Sequence, residues 1–70
     1  MKEGDSLLQI SLKAARVNAG LTLLEAAKKL GVGKDRLLKW EKEPDKVLPC
    51  YQKIISDVYK MPIDYIYFGI

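Results

Sequence analysis

Apolar residues recur along this chain mostly three and four positions apart, the spacing that gathers them on one side of a helix. Leu23, Ala26, Ala27 and Leu30 follow it, as do Leu37 and Trp40. Tyr51, Ile54, Ile55, Val58 and Tyr59 follow it at i, i+3, i+4, i+7 and i+8, a core-facing stripe. Alternation of the strand kind is missing, and the three prolines stand at segment starts or in loops. The pattern predicts an all-α fold of five helices. The first lies between Ser11 and Ala19, capped by Ser11 or, for an earlier start, by Ser6, and Gly20 stops it. The second spans Leu23 to Leu30 and the third Lys34 to about Lys42. Glu43-Pro44-Asp45-Lys46 is turn material, because proline cannot continue a helix, and a loop runs on to Leu48. Pro49 suits the first turn of the fourth helix. Pro62 opens a last short helix, Ile63 to about Phe68, with Ile63 and Ile66 facing inward, and Gly69 ends it. Neither repeats nor a linker divide the chain, so residues 1–70 read as one domain, with 1–10 as a flexible N-terminal segment.

The junction of the second and third helices is the most specific local signal. Thr22 and Glu25 have the S/T-x-x-E spacing of a capping box, in which each side chain accepts from a backbone N–H of the other's residue. The second helix therefore begins at Leu23. Gly31 suits the left-handed position that ends a helix, and a new helix can restart after Gly33. Two short helices around a Gly-Val-Gly turn form a helix-turn-helix layout. In the first of the pair the two alanines let another helix approach closely, while Glu25, Lys28 and Lys29 point outward as a solvated face or as weak phosphate contacts. In the second, Leu37 and Trp40 mark the buried side. Asp35, Lys39 and Lys42 fall nearly opposite, Arg36 and Leu38 flank them, and Lys34 stands in the first turn. A helix ~10–12 Å across matches the width of the DNA major groove, so Lys34, Asp35 and Lys39 are candidates to reach base edges. Lysine can donate to guanine O6 and N7, and aspartate can accept from the cytosine amino group. Asp35 equally suits the first-turn position where an acid favours the helix dipole. Glu41 returns to nearly the same side as Leu37, so its carboxylate is partly buried and needs a cationic partner. The planar fork of Arg16 on the first helix is the best candidate for a structural ion pair.

Size and composition narrow the functions open to such a surface. Seventy residues support one small core and no second sensor or catalytic domain. Twelve basic against nine acidic residues, a net charge of +3, permit a polyanionic partner without specifying it. The chain has no histidine, which removes imidazole metal sites, Ser-His and Cys-His nucleophile pairs and imidazole acid-base chemistry. Gly31-Val32-Gly33-Lys34 lacks the spacing of a phosphate-binding loop. The expectation is a protein that is not an enzyme and needs no cofactor and no metal. No apolar run approaches the ~18 residues of a membrane span, and residues 1–6 lack the start of a secretory signal, so no membrane association and a cytoplasmic location are expected. A lone Cys50 agrees with a reducing compartment and is expected to act as a small apolar filler. Tyr65, Tyr67, Phe68 and Ile70 concentrate apolar area near the C-terminus, either for a homodimer or for packing on the chain's own core.

Taken in order, Leu12-Lys13-Ala14-Ala15-Arg16, Gly20-Leu21-Thr22, Glu25-Ala26-Ala27, Lys29-Leu30-Gly31-Val32, Trp40-Glu41 and Met61-Pro62-Ile63-Asp64-Tyr65-Ile66 resemble the phage-repressor (Cro/XRE-type) helix-turn-helix family. The resemblance runs from about Leu12 to Gly69. It implies a compact five-helix, lambda-repressor-like domain that regulates transcription in bacteria or their phages. Members commonly bind palindromic operators of double-stranded DNA as dimers through the third helix. It also implies that Arg16 pairs with Glu41 and that bases meet Lys34, Asp35 and Lys39. Backbone contacts would fall at Thr22 beside Leu23, at Gly33 and Arg36, and at Lys42 and Lys46. Three positions depart from the usual pattern. Leucine stands at 23 where many members have glutamine, glycine at 33 where many have serine or threonine, and leucine at 38 where relatives are often polar. Leu23, Leu24 and Leu38 accordingly favour an alternative, a protein-interaction module of the same fold with weak or no DNA binding.

Overall fold

Four α-helices and two single 3₁₀ turns account for the regular structure of residues 9–69, the part described by a computed structural model of the chain. The helices are α1 (Leu12–Asn18), α2 (Leu23–Leu30), α3 (Lys34–Lys42) and α4 (Pro49–Tyr59). The all-α class expected from the periodicity holds. Among the described residues the one extended pairing is an isolated parallel bridge between Ile10 and Ile66.

Local chemistry sets the helix ends. Ser11 caps α1 by accepting from the Ala14 N–H at 3.0 Å, while Ser6 and the rest of residues 1–8 lie outside the described residues. Pro49 is the first residue of α4, where its missing N–H costs no helical hydrogen bond. Lys60 ends α4 in the left-handed region at φ 55°, an unusual state for a side chain with a Cβ. Ser56 stabilises this exit, donating its hydroxyl to the Met61 carbonyl at 2.6 Å and accepting the Met61 N–H at its own carbonyl.

The core gathers one side of every helix. Leu12, Leu37, Ile55 and Ile66 are its largest fully enclosed side chains, each worth roughly 1.5–3 kcal/mol of apolar burial. Ala26 and Ala27 are buried, and α2 packs on both α3 and α4 across them. Trp40 meets Tyr51 in a tilted aromatic pair with ring centroids 5.1 Å apart. Val47, in a stretch the sequence marks only as loop, is also buried and ties the segment after α3 to the core.

Several expectations need correction. The fifth helix is absent: Ile63–Tyr65 forms one 3₁₀ turn, and the chain then extends through Ile66. The Ile10 N–H donates to the Tyr65 carbonyl and the Tyr67 N–H donates to the Ile10 carbonyl, both at 2.9 Å, and this pairing replaces helical hydrogen bonds. Extension beyond the turn alternates the side chains, so Ile66 and Phe68 enter the core while Tyr67 faces out; Tyr65, the last residue of the turn, is exposed as well. Ile63, expected to face inward, is exposed because the short turn does not continue a helical stripe. Ile54 lies exposed at the rim of the α4 stripe. Cys50 is exposed and fills no core space, since it sits on the side of α4 away from Ile55 and Tyr59. Of the N-terminal segment, Gln9 and Ile10 are held by the 3₁₀ turn at Asp64 and Tyr65 and, for Ile10, by Tyr67 beyond it. Gly69, at φ +87°, crosses against Asp45 so closely that a Cβ there would stand 2.8 Å from the Asp45 Cβ.

Candidate nucleic-acid interface

The interface is built on α2, α3 and the turn between them. Thr22 accepts the Glu25 N–H at 3.2 Å, and the Glu25 carboxylate accepts the Thr22 N–H at 2.9 Å, closing the capping box. The hydrogen bond from the Thr22 backbone, then the one from its hydroxyl, holds the Glu25 carboxyl below its ordinary value. Gly31 ends α2 in the left-handed region at φ 75°, and the Val32 N–H reaches back to the Ala27 carbonyl at 3.0 Å. Gly33 then leads α3 with extended dihedrals and no side-chain cap. This short link fixes α3 across α2, with Leu37 and Trp40 turned into the core.

The opposite side of α3 is open. Lys34, Asp35, Arg36, Lys39 and Lys42 are all exposed, and Leu38 is 42% exposed among them. Four cations and one acid give this side a positive balance. Thr22 and Gly33 are exposed at the starts of their helices, and Lys46 is exposed on the 3₁₀ turn Pro44–Lys46 that follows α3. Asp35, Lys39 and Lys42 therefore lie nearly opposite Leu37 and Trp40, with Lys34 at the first turn and Arg36 at the edge of this side. Thr22 belongs to the start of α2 and Lys46 to a separate turn.

Beneath this surface Arg16 and Glu41 come together. Arg16 Nε donates to Glu41 Oε2 at 2.6 Å, and its Nη2 lies 3.4 Å from Oε1. Arg16 Nη1 donates to the Leu21 carbonyl at 3.0 Å, so one guanidinium ties α1 to α3 and to the loop before α2. Both side chains are nearly enclosed, 10% and 6% exposed. Tyr59 lies close enough for both charges to act on it. Burial first, then the Glu41 charge, push its hydroxyl up to about 12 against the opposing effect of Arg16.

Sequence reasoning missed a cleft of about 250 Å³ where α1 meets the start of α2 and α3. Leu23 and Leu38 line it, the Arg16–Glu41 pair lies in it, and the exposed Lys13 and Lys42 reach it from α1 and α3. A signal was available: Lys13 precedes Arg16 by three residues, so both fall on one side of α1. Among the described residues no group of acids and Cys50 is placed to hold a metal ion, and no helix is long and apolar enough to cross a membrane.

Helices in this order, with a capped α2, a glycine turn and an exposed cationic α3, define a helix-turn-helix domain of the kind that binds nucleic acid. The helix-turn-helix family model matches residues 12–66, and the chain belongs to this Cro/C1-type (XRE) family of DNA-binding transcriptional regulators. The family is a regulatory and not an enzymatic one. No curated protein and no solved structure gives a match.

Proposed function

We propose that this chain is a sequence-specific transcriptional regulator that seats α3 in the major groove of operator DNA, in the manner of phage or bacterial repressors. The observation carrying this reading is the exposed side of α3, where Lys34, Asp35 and Lys39 stand together on a helix anchored by Leu37 and Trp40. Those three residues read base edges. Thr22, Gly33, Arg36, Lys42 and Lys46 contact the sugar-phosphate backbone, the lysines and arginine by charge, Thr22 through its hydroxyl proton and Gly33 through its backbone N–H. The regulator acts as a homodimer in which the outward Tyr65 and Tyr67 meet a second copy, setting two recognition helices ~34 Å apart on successive turns of the groove.

The test begins with selection of preferred duplexes from a random pool. Lys39→Ala is expected to relax preference at one position of the selected site, whereas Lys46→Ala weakens binding to selected and random duplexes alike. Equal losses from both variants on both kinds of duplex would count against base reading by Lys39. A second reading, an interaction module without DNA affinity, rests on Leu24, which is 64% exposed at the start of α2. Failure to enrich any duplex would favour it.

A further inference from the structure

Leu38 belongs neither to the core nor to the side chains packed against it. The core side of α3 is supplied by Leu37 and Trp40, yet Leu38 remains 42% exposed on the side shared with Lys34 and Lys42. Across the cleft stands Leu23, the first residue of α2, which is partly exposed and has no polar group to offer a phosphate. The two leucines supply the apolar part of this cleft, the Arg16–Glu41 pair that also lines it is mutually hydrogen-bonded, and Lys13 and Lys42 bring two exposed cations.

Apolar walls beside paired cations fit one feature of a duplex particularly well. In the major groove thymine alone presents a C5-methyl group, and phosphates border the groove on either side. The polar edges of the other bases would find no partner on either leucine, so their desolvation would go uncompensated. An acidic amphipathic peptide shares some of this chemistry. DNA is favoured because Leu38 and Lys42, which line the cleft, belong to the same helix as Lys34, Asp35 and Lys39, and because the two exposed lysines complement phosphates.

We propose that the cleft is a thymine subsite, an inference that rests on the DNA-binding reading above. Leu38 packs on the C5-methyl with Leu23 as the second wall, and Lys13 joins Lys42 in neutralising the adjoining phosphates.

The experiment uses the full chain and the duplex selected as its preferred site, with each thymine replaced singly by uracil, which removes only the methyl group. At least one replacement is expected to weaken binding about three- to fivefold, the effect of one buried methyl. That penalty should vanish in Leu38→Ala and persist in Leu38→Met, which keeps an apolar contact. Circular dichroism and the thermal midpoint check that each variant is folded. Lys13→Ala should retain the uracil penalty and reduce the slope of log affinity against log salt by about 0.9 for each phosphate released. A chain that binds its selected duplex but is indifferent to every uracil overturns the subsite while leaving DNA binding intact. The same holds if Leu38→Ala preserves the penalty, or if an acidic amphipathic peptide occupies the cleft without displacing the duplex. An unchanged salt slope in Lys13→Ala removes Lys13 from the site. Failure to bind any duplex overturns both proposals.

Discussion

Arg16 and Glu41 illustrate how one pair of residues constrains three segments. Their charges are removed from water, and the cost is offset because the guanidinium makes hydrogen bonds to both carboxylate oxygens and to the Leu21 carbonyl. Glu41→Ala leaves Arg16 enclosed without its counter-charge and should lower stability by about 3–5 kcal/mol. A domain of this size holds only about 3.5–10 kcal/mol in total, so chemical denaturation should show the variant largely unfolded or close to it. Tyr59 gives a second residue-scale expectation. Its hydroxyl is buried without a hydrogen-bond partner among the described residues. Its folded pKa, raised to about 12 from 10.0, means that the unfolded chain loses the proton first. The associated stability is fully present below pH 10 and is lost between pH 10 and 12. Tyr59→Phe should match or exceed the parent in neutral solution and lose less stability over that alkaline interval, as thermal midpoints at a series of pH values would report. A parent and variant with identical alkaline profiles would contradict the burial of an ionisable hydroxyl.

Elements are legible in the sequence where their boundaries depend on close neighbours. Thr22 and Glu25 fix the start of α2, Gly31 its end and Pro49 the start of α4, because each acts through hydrogen bonds or backbone limits within a few residues. The C-terminal stretch is not legible, for the opposite reason. Ile63, Ile66 and Tyr67 have helical spacing, yet Ile66 and Tyr67 are drawn into an extended pairing with Ile10, more than fifty residues earlier. No local pattern carries that information. Cys50 is misread from sequence because residue type alone does not reveal that its position on α4 points away from Ile55. On the candidate interface, Asp35, Lys39 and Lys42 can be grouped from the helical wheel, with Lys34 at the first turn, whereas Lys13 joins Leu38 only once α1 and α3 stand side by side. The weak start of α3 yields a prediction of its own. Gly33 has extended dihedrals, and no atom lies within 4 Å of the position a Cβ would take, so serine can enter without strain. Gly33→Ser supplies a hydroxyl to the first-turn N–H groups and restricts the unfolded chain, and should add about 0.5–1 kcal/mol. A lower thermal midpoint in this variant would show that the start of α3 is not built as described.

At the scale of the molecule, the fold turns a small net charge into a directed one. The chain carries only +3, but the exposed residues of α3 include four cations against one acid, and Lys13 adds a further cation beside Lys42. The core under that side is continuous with the rest of the protein, since Leu37 and Trp40 pack with Leu12, Ile55 and Tyr59. The proposed recognition surface is thus mounted directly on the core, and its affinity for DNA should come chiefly from displaced counterions. The most direct test is the affinity of the intact chain for its selected duplex at two salt concentrations. The expected result is a steep loss at higher salt, with a slope of about −0.9 for each phosphate neutralised, and a clear preference over a scrambled duplex at both. Binding that is absent at low ionic strength, or that does not change with salt, would contradict the assignment of α3 as a DNA-reading helix.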